Sequence, residues 1–189
     1  MLKEIFNNIY INKFFAVFFL GFAIKILDDF LDDNENAGIR AIMPYSLLFL
    51  SVSALLDLSS ISLFLSSYII GMFKDFKLKL PSGFFSWGES VFVYILGMLF
   101  LGFKEMTASI FIIIFIQLID DLIDYKYDKI VGQKNYAIKY GSIETALIGV
   151  VFLSVALMMD FSKTIIVILS TPLVLLCYKR INKTGGNTN

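Results

Sequence analysis

Histidine is absent from the 189 residues, and cysteine occurs once. Without histidine there is no imidazole for general acid/base work near neutral pH, and none to ligate a metal. The lone Cys177 cannot form an internal disulfide; it lies in an apolar run, where a packing role is expected. Net charge is missing as well. Sixteen Lys and Arg balance 16 Asp and Glu, which argues against a nucleic-acid partner. The weakly alternating segments of a transmembrane barrel are not found either. The apolar stretch near 14–24 runs into acids rather than a small-residue cleavage site, so the start does not read as a cleavable signal. Proline is scarce, and Pro44 and Pro172 fall inside apolar runs, where each implies a kink.

What fills the chain is apolar. Hydrophobic residues make up 58%, phenylalanine alone accounts for 20 positions, and the mean hydropathy is +0.79. That exceeds an ordinary soluble domain. The long, repeated runs predict an all-α, polytopic transmembrane helical bundle forming one membrane-embedded domain over 1–189. Seven spans are expected, at 11–28, 41–56, 58–73, 84–102, 107–124, 144–159 and 163–180. Several fall short of the roughly 20 residues a bilayer-spanning helix needs. The region 41–73 reads as two spans divided at Asp57.

Charge supports that division. The loops after the first, third, fifth and seventh spans hold Arg40, Lys74, Lys77, Lys79, Lys126, Lys129, Lys134, Lys139, Lys179, Arg180 and Lys183. The opposite side holds only Lys3, Lys13, Lys104 and Lys163. Basic loops stay in the cytoplasm, so the first set is assigned there, in the cell membrane. Merging 41–73 into one span would spoil the asymmetry. Trp87, near a span start, fits an interfacial anchor.

Two acidic segments stand out against this background. Asp28-Asp29-Phe30-Leu31-Asp32-Asp33-Asn34-Glu35-Asn36 and Asp120-Asp121-Leu122-Ile123-Asp124-Tyr125-Lys126-Tyr127-Asp128 both read D-D-x-x-D-x-x-x-(N/D). Each closes an apolar run, and both fall at cytoplasmic ends of spans of the same direction. Shifted by 92 positions, which lays Asp28 on Asp120, their flanks also agree, as in a parallel internal repeat. A helical residue advances about 100°, so Asp28, Asp29, Asp32 and Asn36 share one face, as do Asp120, Asp121, Asp124 and Asp128. Clustered carboxylates repel one another and tend to protonate. A bound Mg²⁺ removes that penalty, because hard cations take oxygen ligands and leave room for substrate phosphates. Asp33 and Glu35 lie off this register and read as solvated loop charges; Asp57, Asp75 and Asp160 read as isolated loop acids. Lys25, about a turn before the first segment, can pair with an Asp, touch a diphosphate or snorkel to the interface.

These residues resemble the UbiA superfamily of intramembrane prenyltransferases, which carries N-D-x-x-D-x-x-x-D on one helix and D-x-x-x-D-x-x-x-D on another. Here the first motif is Asp28-Asp29-x-x-Asp32-x-x-x-Asn36, with Asp for the usual Asn and Asn for the last Asp. The second is complete in Asp120, Asp124 and Asp128. The continuation Lys129-Ile130-Val131-Gly132-Gln133-Lys134-Asn135, then Tyr140-Gly141-Ser142-Ile143-Glu144-Thr145-Ala146-Leu147, is similar to the family's basic, glycine-containing loop and the G-x-x-x-A-L start of its next helix. The family has nine helices where seven are expected here, and the loop after the first motif keeps only Arg40 of a basic stretch.

The resemblance implies Mg²⁺-dependent transfer of an isoprenyl group from a prenyl diphosphate to a lipophilic or aromatic acceptor, within membrane lipid and facing the cytoplasm. Asp28, Asp29, Asp32 and Asn36 would hold one Mg²⁺, and Asp120, Asp121, Asp124 and Asp128 another, with Asp28, Asp32, Asp120 and Asp124 catalytic. Arg40, Lys126, Lys129 and Lys134 would steady the leaving diphosphate. Aromatic faces stabilise an allylic cation by about 0.5–2 kcal/mol each, and the chain is 16% aromatic. Two alternatives stay open: an intramembrane terpene cyclase using the same ionisation, and a non-enzymatic divalent-cation-binding membrane protein. A CDP-alcohol phosphotransferase is disfavoured, because its D-G-x-x-A-R element is absent.

Overall fold

The computed structural model describes residues 2–32, 37–70, 79–80, 83–133 and 135–185, with side chains over 8–31, 40–70, 79–80, 83–133 and 135–180. The regular elements are helices: α1 (Leu2–Asp32), α2 (Ala37–Leu56), α3 (Ile61–Ile70), α4 (Ser86–Leu101), α5 (Phe103–Ile123), α6 (Tyr125–Val131), α7 (Tyr136–Tyr140), α8 (Ser142–Met159) and α9 (Phe161–Gly185). No strand forms among the described residues; a single isolated bridge joins Lys79 to Phe85. Among the described residues, three stretches are long and apolar enough to cross a membrane: Phe103–Ile123, Ser142–Met159 and Phe161–Arg180. This is the pattern of a helical membrane protein.

Breaks between helices follow local chemistry. Asp57 leaves the helical conformation and caps a short 3-10 turn, Leu58–Ser60, with its carboxylate accepting from Ser59 Oγ at 2.7 Å. The helix therefore breaks at Asp57, and α2 and α3 are separate helices. Gly102 divides α4 from α5 at φ +96°, a region open to glycine and strained for other residues. Pro44 and Pro172 are both accommodated inside helices, α2 and α9.

The chain divides into two compact units, Met1–Phe64 with Ile165–Asn189, and Leu65–Thr164. In the first, α1 packs along α2 through rings: Phe19 stacks on Phe49 with centroids 5.9 Å apart, and Phe22 meets the same ring at 5.5 Å. The α9 segment closes on α1 where Gly21 removes a side chain; a Cβ there would lie 2.8 Å from Val174 Cγ2. Phe22, Ile26, Val174 and Tyr178 form the buried cluster. In the second unit α5 is central. Phe111 packs on Phe152 of α8 at 5.7 Å, and Gly149 of α8 sits against Phe115 and Leu118. Gly97 of α4 lets Met106 of α5 approach closely, and Tyr94 Oη meets Thr107 Oγ1 at 3.0 Å. Glu105 and Lys163 join helix starts 58 residues apart, Nζ to Oε2 at 2.8 Å.

The burial pattern departs from that of a water-soluble bundle. Ser46, Ser53, Ser60, Ser109, Thr145 and Thr164 are fully or almost fully buried, while Phe100 is 83% and Met158 87% exposed. Small hydroxyl residues at helix contacts and bulky apolar side chains outside are what helix packing in lipid favours, since lipid tails solvate Leu and Phe as well as a core does. Apart from Ser86 Oγ, which has no partner among the described residues, the buried hydroxyls are bonded, as where Thr145 donates to Gly141 O at 2.8 Å, Thr164 to Asp160 O at 2.6 Å and Ser53 shares a 2.7 Å bond with Ser60. Cys177 corrects the expectation of a packing role, because its place on α9 leaves it exposed.

Candidate functional site

Each acidic segment belongs to a different unit. The first occupies the last turns of α1. Asp28 and Asp29 are half-buried, and Lys25, one turn earlier on the same face, reaches both. Its Nζ lies 3.2 Å from Asp28 Oδ2 and 2.9 Å from Asp29 Oδ1. The remaining Asp29 oxygen, Oδ2, accepts from Tyr178 Oη at 2.8 Å. Tyr178 is 6% exposed, set among Phe22, Ile26 and Val174, so its hydroxyl is aimed by packing. Of the three roles open to Lys25, the structure shows pairing with the acids. Asp32 is the last residue of α1, and its side chain lies outside the described residues, as does Asn36. Arg40 sits in the first turns of α2 and is exposed.

The second segment is not one uninterrupted helix. α5 ends at Ile123, and Asp124 takes φ −88°, ψ 3°, before α6 begins. The i→i−4 register survives the bend: Asp124 N donates to Asp120 O and Asp128 N to Asp124 O, both at 2.9 Å. The four carboxylates keep the arc expected from the sequence, and burial divides it into two stripes. With about 100° per residue, Asp120 and Asp124 stand on one edge of the arc, and Asp121 and Asp128 on the other. Asp120 and Asp124 are exposed; Asp121 is half-buried and Asp128 only 8% exposed.

Asn135 explains the inner stripe. Its Nδ2 donates to Asp128 Oδ2 at 2.8 Å and to the Asp121 carbonyl at 2.7 Å. Its Oδ1 accepts from Ile138 N at 3.1 Å, capping α7. Beside it, Tyr136 N donates to Asp121 Oδ2 at 2.7 Å. The chain can return to this point because Gly132 takes the left-handed conformation after α6, its N–H bonding to Asp128 O at 2.8 Å. Asp121 and Asp128 thus hold the α5–α6–α7 turn together, while Asp124 accepts no side-chain hydrogen bond from a described residue. The carboxylates of Asp124 and Asp128 also repel that of Asp121.

Around this turn the exposed surface is basic and aromatic. Lys126 and Lys129 are exposed on α6, with Lys129 Nζ 5.8 Å from the centre of the Tyr125 ring. Tyr136 and Tyr140 stack at 6.1 Å, and Lys139 Nζ lies 4.8 Å over the Tyr140 ring. Such Lys and Tyr side chains suit a headgroup interface. Lys134 lies outside the described residues.

The donor sets differ in how they would suit Mg²⁺. Among the described residues no three Asp, Glu or Cys side chains converge as a metal cage. An ion completed by substrate phosphates needs only one or two carboxylates, and the exposed pair Asp120 and Asp124, one turn apart, fits that demand. The Asp28–Asp29 pair as it stands does not, because an ammonium already lies between its carboxylates. Sequence reasoning missed Asn135 and Tyr178. An Asn just before Tyr136-Ala137-Ile138 is a legible N-cap signal, but its reach back to Asp128 is not; Tyr178 lies 149 residues from its partner. Comparison with known family profiles, characterised proteins and solved structures finds no match.

Proposed function

We propose that this chain is a membrane-embedded enzyme acting on prenyl diphosphates with Mg²⁺, transferring the prenyl group to a lipophilic or aromatic acceptor. The observation that carries the reading is the outer stripe of the second segment. Asp120 and Asp124 are exposed one turn apart at the end of a helix long and apolar enough to cross a membrane. The turn that carries them is tied down by Asn135 through the Asp121 carbonyl and the Asp128 carboxylate, so the pair is presented on a fixed turn rather than a loose loop. Mg²⁺ held there would act as a Lewis acid on the diphosphate oxygens. Asp120 and Asp124 orient the headgroup end of the substrate, and Lys126 and Lys129 on the adjoining turn steady the departing diphosphate by charge-assisted hydrogen bonds. The prenyl chain lies in the surrounding apolar phase, where water is scarce. In this reading the chain has seven spans and an internal repeat, and its basic loops and the site face the cytoplasm.

A second reading, a non-enzymatic membrane protein whose acids staple helix ends, is favoured by the internal partners of Asp29, Asp121 and Asp128. One experiment separates the two. The purified chain in nanodiscs is incubated with Mg²⁺ and labelled prenyl diphosphates of graded length, with and without acceptors. The enzyme reading expects Mg²⁺-dependent diphosphate release, abolished by Asp124→Ala at unchanged helical content. A cyclic hydrocarbon formed without acceptor would identify a cyclase. No release at any chain length, or unchanged release in Asp124→Ala, sinks the proposal.

A further inference from the structure

The sequence presents its two acidic segments as equivalents, and the structure makes them chemically unlike. In the second, two of the four carboxylates face outward. In the first, the chain supplies its own cation. Lys25 Nζ sits 2.9 Å from Asp29 Oδ1 and 3.2 Å from Asp28 Oδ2. Helix propensity does not explain this: in isolated helices a Lys placed N-terminal to an acid is the weaker order. The contact is fixed instead by tertiary structure. Tyr178 donates to Asp29 Oδ2, which turns the other oxygen toward the ammonium, and the Tyr178 ring is gripped by Phe22, Ile26 and Val174. Both Asp29 oxygens therefore accept from groups of this chain. A divalent ion approaching the pair would have to crowd an ammonium of like charge or displace it. The equivalent place before the second segment, at the 92-residue offset, is Gln117, which is uncharged.

We propose that Lys25 is the resident cation of the first acidic segment, its ammonium taking the charge-neutralising place that a divalent ion would otherwise hold. The inference deepens the function proposed above and rests on that reading for the identity of the competing ion. It removes the first of the two divalent-ion sites that the repeated acidic template implies. Lys25 is a positioning residue on this account, since it acts by holding Asp28 and Asp29.

Mn²⁺ counting tests it. Bound and free Mn²⁺ are separated by electron paramagnetic resonance on the full chain in nanodiscs, for wild type, Lys25→Met, Lys25→Arg and the double variant Asp28→Asn/Asp29→Asn. Lys25→Met is expected to bind one more Mn²⁺ per chain than wild type. Lys25→Arg keeps a tethered cation and keeps the wild-type count. Asp28→Asn/Asp29→Asn leaves the wild-type count unchanged. An unchanged count in Lys25→Met overturns the proposal, and so does a count that falls in the double Asn variant. The double Asn arm decides even where Lys25→Met does not fold. Loss of the enzymatic reading appears elsewhere, as no diphosphate release or as an unchanged count in Asp124→Asn, and neither alters the difference between Lys25→Met and wild type.

Discussion

Replacing Asn135 by alanine removes three hydrogen bonds from one side chain. The bond from Nδ2 to Asp128 Oδ2 engages a carboxylate that is 8% exposed and has no other side-chain donor among the described residues. Hydrogen bonds to charged groups contribute about 1.5–3 kcal/mol. The bond to the Asp121 carbonyl is neutral and contributes about 1 kcal/mol, and losing an N-cap costs about 1 kcal/mol. Water reaches part of the vacated space, so a total of roughly 3–5 kcal/mol is an upper range for local opening. At 1.4 kcal/mol per factor of ten, that is a rise on the order of a hundredfold or more in the opening equilibrium. Native-state hydrogen exchange in nanodiscs reads it directly. Amide protection of Ile138, Lys139 and Gly141, bonded to Asn135 Oδ1, Asn135 O and Ala137 O, should fall together. Protection in the middle of α8 should hold. Asn135→Asp separates the contributions, because it retains the capping oxygen and sets a second carboxylate against Asp128. It should open the turn at least as far as alanine does. Unchanged exchange over 136–141 in Asn135→Ala would refute the latch.

Other perturbations probe packing in the same unit. Lys163 is 6% exposed and pairs with Glu105 at 2.8 Å, so Lys163→Met alone should destabilise by about 3 kcal/mol, the lower end for a broken buried pair because Glu105 is partly exposed. Adding Glu105→Leu should recover most of that loss, and thermal unfolding in detergent compares the two. Gly97→Ala sets a Cβ 2.6 Å from the sulfur of Met106, a fully buried side chain that must shift. A loss of about 1–3 kcal/mol is expected. Partial rescue by Met106→Ala would mark overpacking, whereas strictly additive losses would point away from it.

The helices were legible because their cause is local. Apolar runs flanked by charge or glycine fix where a helix starts and stops, and the expected spans 144–159 and 163–180 lie within α8 and α9. Asp57 was readable as a break because merging its two apolar flanks spoils the charge asymmetry, and the structure adds that it caps the next turn. The acidic template was legible too, along with the arc its carboxylates share. Periodicity gives a direction around a helix axis and says nothing about what stands there. Only the tertiary structure divided Asp120 and Asp124 from Asp121 and Asp128, through an Asn supplied by the returning chain. It likewise set Lys25 and Tyr178 on Asp29, paired Glu105 with Lys163, turned Cys177 outward and drew the serines inward. The physical reason is common to all of these. A hydrogen bond or ion pair acts over about 3 Å in space, and the chain brings residues to that distance from 149 positions away for Asp29 and Tyr178. The sequence by itself determined the helices and their acidic ends, and the folded chain decided which of those acids it keeps for itself.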